Sequence, residues 1–254
     1  DSKSSVVSAN KVHFMNYSGA STTRLYGITT STAAFNISGN QSANTYANNA
    51  VYDLVSSGTS SVWNVSGINN NGGYNDKYYY NSVYLTGQMS STGSGSSATF
   101  SNGNAATTAN CPVTDIRNNQ FYMKGSSPVP SILYVHYTTL SNYSGSTVNY
   151  NNLEGGPGGA AFWGLGYINN TAYFQLTDWR TATNKEANSI SVDPLFASPT
   201  NLQLSIGSPC VGAGTPVSVT VDITGLTRSV TAPTIGAYEQ AGDFTGPVIT
   251  YTAL

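Results

Sequence analysis

Asn81-Ser82-Val83-Tyr84-Leu85 is one copy of a phrase that recurs along the chain: one or two asparagines, then a short hydrophobic or aromatic run. The other copies are Asn48-Asn49-Ala50-Val51-Tyr52, Asn118-Asn119-Gln120-Phe121-Tyr122-Met123 and Asn151-Asn152-Leu153. Counted on the hydrophobic residue after Asn, at positions 51, 83, 121 and 153, the steps are 32, 38 and 32 residues. Val12 lies one further step, 39 residues, before position 51.

A second series of apolar runs lies between these phrases and shares their period. Its markers are Leu25, Val62, Ala98, Leu133 and Phe162, with steps of 37, 36, 35 and 29 residues. Two interleaved series with one slightly variable period are typical of a repeat protein, in which each unit must stack on its neighbours to bury its apolar face.

The repeats are predicted to be strands, because the runs are short, rich in Val, Tyr, Phe and Thr, and bounded by Gly, Asn and Ser. The one short helix that the pattern allows is 176–183, with Thr177 or Asp178 as its N-cap. A period in the thirties with two or three strands per unit predicts an all-β chain folded as a right-handed parallel β-helix. Asn suits its corners because it tolerates left-handed backbone and can bond to the Asn of the next coil.

The corner asparagines are therefore expected to form a stacked ladder. Its predicted members are Asn49, Asn81, Asn119 (or its neighbour Asn118) and Asn152 (or its neighbour Asn151). They should lie about 4.8 Å apart, the spacing of neighbouring strands.

Three stretches resemble a known family. Asn81–Gly87, Ile116–Phe121 and above all Ser191–Glu239 resemble the parallel β-helix modules of large surface proteins in Bacteroidetes-type bacteria. The last stretch includes Val192-Asp193-Pro194-Leu195-Phe196 and Ile235-Gly236-Ala237-Tyr238-Glu239. The resemblance implies export by the type IX secretion route and a secreted or cell-surface location. It brings no catalytic motif.

The predicted domain organisation is one β-helix domain over 1–241, closed by coils and an end cap in 191–239. Five prolines in that last stretch restrict further strand pairing, since Pro cannot donate to a ladder. Residues 242–254 are expected to be a linker into an immunoglobulin-like module.

Composition excludes several classes of function. Only 8% of the 254 residues are charged and the net charge is −2, so no nucleic-acid partner is expected. No apolar run approaches the eighteen or so residues that would cross a bilayer, so no membrane insertion is expected. Cys111 and Cys210 are roughly three coils, or about 14 Å, apart, which predicts two buried free thiols.

Catalytic and metal chemistry find few candidates among the eleven carboxylates. Asp115 with Arg117 and Asp76 with Lys77 are the best local charge pairs. A third pair, Asp222 with Arg228, is expected to be structural. His13 and His136 stand far apart in the sequence with no second ligand at a metal-site spacing, so neither a metal nor any cofactor is expected.

Aromatic residues are the main candidates for a binding surface. Eighteen Tyr and three Trp exceed what a thin core needs, and exposed aromatic rings are a usual platform for sugars and proteins. The predicted outward, ligand-binding residues are Trp63, Tyr78, Tyr80, Tyr84 and Trp163. The alternative is that Tyr only covers strand faces.

The sequence thus predicts a non-enzymatic β-solenoid module, a stalk or adhesive segment of a long bacterial surface protein. Its expected partners are surface glycans, other surface proteins and neighbouring modules of the same polypeptide. The alternative is a carbohydrate-active β-helix, such as a polysaccharide lyase or glycoside hydrolase, or a glycan-binding module.

Overall fold

A computed structural model describes residues 4–19, 24–31, 42–57, 63–89, 96–102, 113–127, 132–156 and 163–240. For residues 31, 63 and 64 only the backbone is described. The elements in chain order are β1 (Val6–Ser8), β2 (Lys11–Val12), β3 (Met15–Tyr17), β4 (Leu25–Ser31), β5 (Thr45–Ala47), β6 (Ala50–Tyr52), β7 (Leu54–Ser56), β8 (Trp63–Asn71), β9 (Asp76–Tyr79), β10 (Ser82–Leu85), β11 (Ser96–Asn102), β12 (Thr114–Arg117), β13 (Gln120–Met123), β14 (Leu133–Thr138), β15 (Thr147–Asn149), β16 (Asn152–Gly155), β17 (Trp163–Ile168), β18 (Thr171–Tyr173), α1 (Leu176–Thr183), β19 (Phe196–Ser198) and β20 (Asn201–Leu204).

The strands stack into three main sheets that the chain visits in turn. The first sheet has the order β1-β5-β9-β12-β15, the second β2-β6-β10-β13-β16, and the third β4-β8-β11-β14-β17-β18. Neighbouring strands are parallel throughout, except where β18 returns antiparallel to β17. The chain is therefore a parallel β-solenoid, and the predicted fold class is confirmed.

The register of the second sheet is the one that the repeating phrase predicts. Val12, Val51, Val83, Phe121 and Leu153 lie directly above one another. All but Val12 are fully buried in the core, which holds one apolar residue from each coil at this position. The hydrophobic residue after Asn is thus the inward-facing position of the second sheet.

The register of the third sheet differs from the predicted markers. Leu25 pairs with Val65 and not with Val62, while Leu133 pairs with Ser97 and Trp163 and not with Ala98 and Phe162. An irregularity in pairing between Ser96 and Ala98 shifts the alignment within the sheet, which counting along the sequence could not detect.

A ladder of asparagines, buried in all coils but the first, runs along the corner between the first and second sheets. Each side-chain amide donates to the side-chain oxygen of the next coil's asparagine, at 2.9 to 3.0 Å, through Asn10, Asn49, Asn81, Asn119 and Asn151. The same oxygens accept the backbone N–H of the preceding ladder member. Each coil therefore satisfies the polar groups of its neighbour.

The last ladder member is Asn151, the alternative left open for this phrase, and not Asn152. At each of these corners the residue before the ladder asparagine has left-handed backbone: Ala9, Asn48, Tyr80, Asn118 and Tyr150. In Asn48-Asn49 and Asn118-Asn119 the first Asn makes the turn and the second stacks. In the last phrase Tyr150 makes the turn, so the first Asn stacks, while Asn152 pairs with Gln120 in the second sheet.

The C-terminal end of the solenoid is closed by β18 and α1, which together form the end cap. Trp179 of α1 is 1% exposed and lies on Gly166 of β17, where a Cβ atom would come within 2.3 Å of the indole. Only glycine lets the indole lie this close to the last strand. The predicted helix is confirmed, but its N-cap is Gln175 and makes no side-chain capping bond.

Residues 191–239 do not form the predicted closing coils. Ile190 still pairs with Asn152, as the start of a further coil, but residues 194–240, the flank segment, lie along the side of the solenoid. Its backbone N–H groups at Gly236 and Ala237 donate to the Asn118 carbonyl at 2.8 Å and the Ser82 hydroxyl at 2.9 Å. Gly236 has a φ of 104° and lies so close to Gln120 that no Cβ would fit. Residues 241–254, including the predicted linker, lie outside the described residues.

Asn119→Ala is expected to lower the free energy of unfolding by about 3 to 5 kcal/mol, because it leaves several buried groups unsatisfied. The side chain is fully buried, donates to Asn151 and to the carbonyl of Tyr78, and accepts two bonds from Asn81. Guanidinium denaturation followed by tryptophan fluorescence measures the change.

The matched control is Asn10→Ala, at the exposed first position of the same ladder. Solvent can replace its bonds, so a cost below about 1 kcal/mol is expected. Equal losses in the two variants would show that the ladder does not hold the coils together.

Candidate functional site

Two of the five predicted binding aromatics are buried, which corrects the prediction for them. Tyr78 is fully buried in the core, stacked on Tyr46 with ring centroids 5.0 Å apart. Tyr80 is 1% exposed, because the guanidinium of Arg228 lies 3.7 Å from its ring centroid. The left-handed turn at Tyr80 breaks the alternation of faces, so the residue between them, Tyr79, faces outward instead.

The other predicted aromatics divide as follows. Trp163 is half-buried and packs against the core, so its ring is not part of an outer platform. The side chain of Trp63 lies outside the described residues. Tyr84 is half-buried on the outer face of the second sheet, where it belongs to a row of rings.

This row runs along the outer face of the second sheet, one residue per coil. Tyr52, Tyr84 and Tyr122 are in register, and Glu154 occupies the next position. Tyr84 and Tyr122 stack with centroids 4.7 Å apart and an interplanar angle of 19°. At the other end His13 stacks on Tyr52 at 4.9 Å. Most ring faces are therefore used by neighbouring rings.

The flank segment covers part of the row and leaves a cleft beside the rest. Leu202 and Tyr238 pack over Tyr52. The cleft has a volume of about 190 Å³ and is lined by Tyr84, Tyr122, Asp193, Leu195, Phe196, Ser198 and Pro199. It therefore presents ring edges and hydroxyl groups rather than open ring faces.

Polar and charged groups surround the Tyr122 ring. Lys124 places its ammonium 5.2 Å from the ring centroid, and Glu154 accepts a 2.8 Å hydrogen bond from Ser191. Burial, followed by the charge of the Asp193 carboxylate, raises the pKa of Tyr122. Its hydroxyl donates a hydrogen bond to the Asp193 carboxylate, so this phenol and this carboxylate are paired at the cleft.

Sequence reasoning missed Tyr122, Asp193 and Phe196. Tyr122 occupies the same place in its phrase as Tyr84 does, three residues after the ladder asparagine, so the period could have identified it. Asp193, directly before the flank segment, and Phe196 within it line the cleft because the segment lies beside the second sheet, which no local pattern indicates.

The outer face of the first sheet carries a charged row. Asp115 accepts two bonds from the Arg117 guanidinium, at 2.7 and 2.6 Å, and one from the Tyr79 hydroxyl at 2.6 Å. The predicted pair of Asp115 and Arg117 therefore exists. The pair of Asp76 and Lys77 does not, because Asp76 is fully buried while Lys77 is exposed and faces outward beside Asp115.

Arg228 joins the flank segment to the solenoid. It forms an ion pair with Glu239 at 3.1 Å, so the predicted pairing with Asp222 is wrong. Its guanidinium also donates to Asn48 at 2.7 Å. Asp222 instead accepts backbone N–H groups of its own turn and that of Glu239. The arrangement is structural, as expected.

Metal-binding chemistry finds no support within the described residues. No group of three or more His, Cys, Asp or Glu side chains there could hold a metal ion. His136 is buried, bonded to the Tyr143 hydroxyl at 2.6 Å, and burial lowers its pKa to about 3. Cys210 is a buried free thiol, whereas Cys111 lies outside the described residues.

Comparison with known proteins identifies no relative of this chain. No family model, curated protein or solved structure matches the chain. The resemblance to surface-protein modules therefore stays a prediction. Among the residues that the structure describes, no helix has both the length and the apolar character to span a membrane.

Glu186 ends the asparagine ladder and is a buried carboxyl group. One oxygen accepts bonds from Asn151, at 3.0 Å, and from the Ser189 hydroxyl, while the other has no partner among the described residues. Burial raises the pKa of Glu186 from 4.5 to about 7. The folded protein therefore binds this proton more tightly than the unfolded chain.

The stability that this proton contributes should be present below pH 4.5 and lost as the pH rises to about 7. Glu186→Gln keeps an acceptor for Asn151 and Ser189 but cannot ionise. The variant should match the wild type at pH 4.5 and exceed it at pH 8 by about 3 kcal/mol. Denaturation curves across this range measure the difference, and parallel pH profiles for the two proteins would contradict it.

Proposed function

We propose that the chain is a non-enzymatic structural module, a rigid stalk or adhesive segment of a longer secreted or cell-surface bacterial protein. The observation that carries the proposal is the continuous asparagine ladder, which commits a buried side chain of every coil to holding the next. Such a stack is rigid along its axis and holds its two ends at a fixed distance, which is what a spacer between functional modules requires.

The two other packed surfaces support the same proposal. The end cap closes the apolar cross-section that a last coil would otherwise expose. The flank segment ties several coils together through Arg228, Asn48 and Asn118. Outward rings stack on one another or lie under this segment. Their packing therefore stabilises the fold.

A spacer should be replaceable by another rigid rod. In the full-length protein, exchange of this module for an unrelated β-solenoid of equal length should preserve the activity of the neighbouring modules at the cell surface. A flexible Gly/Ser linker of the same residue count should not, because its ends are not held at a fixed distance. Equal function with rod and linker would contradict a spacer role.

The enzymatic alternative has a direct test on the purified chain. Incubation with a panel of neutral and acidic polysaccharides should release neither reducing ends nor unsaturated products. Reducing-sugar assays and ultraviolet absorbance measure these. Release that disappears in Glu154→Gln or Asp193→Asn would establish a carbohydrate-active enzyme and overturn the structural proposal.

Glycan contact at the cleft is a second candidate function. It is favoured by the combination of aromatic edges with nearby carboxylate and ammonium groups around Tyr122. Saccharide hydroxyls bond to such groups while their C–H faces pack on aromatic rings. The adhesive property of the module would then reside where the flank segment meets the second sheet.

Tyr84→Ala is expected to weaken any glycan binding at the cleft by about tenfold, since it removes one ring of the lining. A glycan array identifies the ligand, and calorimetry measures its affinity for both proteins. The control is Tyr26→Ala, a half-buried tyrosine on the outer face of the third sheet. Equal losses in both variants would place the binding elsewhere.

A further inference from the structure

A second concavity lies on the first sheet and has a different chemistry from the cleft. This groove has a volume of about 320 Å³ and follows the corner that precedes the first sheet. Asn75, Val113 and Gly145, from three successive coils, line one side. Because coils repeat about every 4.8 Å, the groove runs parallel to the solenoid axis and spans roughly three coils.

The other side of the groove is a row of outward side chains in strict register. Lys77, Asp115 and Thr147 are aligned on β9, β12 and β15. Lys77 and Thr147 are exposed. The groove thus offers side chains at a fixed axial repeat, which suits an extended polymer better than a compact ligand.

The charge of this row is positive. Both oxygens of Asp115 are occupied by Arg117, and one also by Tyr79, so its charge is neutralised within the row. Lys77 forms no ion pair with the residues that the structure describes. At the far end Lys185 donates its ammonium to the carbonyl of Ser146 at 2.7 Å. Lys77 therefore lines the groove, and the Lys185 ammonium lies beside Ser146, between the lining residues Gly145 and Thr147, in a chain whose net charge is −2.

Backbone groups at the groove are already engaged. The N–H groups of Ala43, Asn75 and Lys77 donate to carbonyls of neighbouring coils at 3.0, 2.7 and 2.8 Å. A peptide could therefore not add to this surface as a further strand, the usual way that a sheet binds an extended peptide.

We infer that this groove binds an acidic polysaccharide, laid along the solenoid axis with carboxylate groups of its uronate units near Lys77 and Lys185. The ammonium groups of Lys77 and Lys185 pair with carboxylates of the polymer, while the exposed hydroxyl of Thr147 is available to the sugar. The site is separate from the cleft and does not depend on the proposed spacer role or on glycan binding there.

The test is calorimetric titration of the intact chain with oligomers of galacturonate, mannuronate and guluronate. Their methyl-esterified counterparts, which keep the sugar and lose the charge, serve as the matched probes. At least one acidic oligomer should bind, its esterified form should bind at least tenfold more weakly, and the affinity should fall as salt is raised. Absence of binding by all three acidic oligomers, or equal binding of the esters, would overturn the inference.

Variants locate the binding on the groove. Lys77→Gln should weaken it about tenfold and Lys77→Arg should retain it, while Lys11→Gln, which removes an exposed lysine from the second sheet, should leave it unchanged. Because Lys77 is exposed, its variants should melt at the wild-type temperature, which thermal denaturation checks. Wild-type affinity in Lys77→Gln, or equally tight binding of an oligoglutamate peptide, would refute the assignment.

Discussion

The structure depends on one constraint: a solenoid corner buries polar groups that only the neighbouring coil can satisfy. A ladder asparagine such as Asn81 is fully buried and uses its amide and carbonyl on the coils below and above. A buried polar group without a partner costs about 1 to 3 kcal/mol, so a single coil cannot be stable alone. The ladder makes folding of one coil favourable only when the next is in place, and it fixes their register.

The other corners obey the same rule with different residues. Before the first sheet, Asn44 accepts the backbone N–H of Ser5 at 2.9 Å and Asp76 accepts that of Asn44 at 2.8 Å. At the end of the third sheet, Thr30 donates to Asn70 and Asn70 to Asn102, each at 2.9 Å. The low charge content follows from this geometry, because amides and hydroxyls donate and accept without the cost of burying a charge. Asp76 and Glu186 are exceptions, and burial raises the pKa of both.

The sequence contained enough information to predict the fold but not all of the register. The phrase Asn-x-hydrophobic aligned Val83 and Phe121 correctly, because inward positions require apolar side chains in every coil. It did not decide between Asn151 and Asn152, because a tyrosine replaces the first asparagine in making the left-handed turn at that corner. A residue's tolerance of a turn and its role in stacking are separate properties, and two adjacent asparagines do not reveal which one has which role.

The faces of Tyr78, Tyr79 and Tyr80 were harder to predict for a related reason. Strand alternation holds only within a strand, and the corner at Tyr80 interrupts it. The position of the flank segment could not be predicted from local patterns, because its contacts with Asn48 and Asn118 join residues 97 to 180 positions apart. Its prolines do limit strand pairing, but they do so beside the solenoid rather than at its end.

The flank segment also explains why the candidate surfaces lie where they do. It covers the start of the aromatic row on the second sheet, so that only ring edges near Tyr122 border open space, and it leaves the charged row of Lys77 and Asp115 on the first sheet uncovered. The face with the aromatic row is thereby largely buried, and the face that carries Lys77 and the pair of Asp115 and Arg117 remains available. A solenoid repeats its outward side chains as strictly as its inward ones, so the uncovered face presents a periodic surface to any periodic ligand.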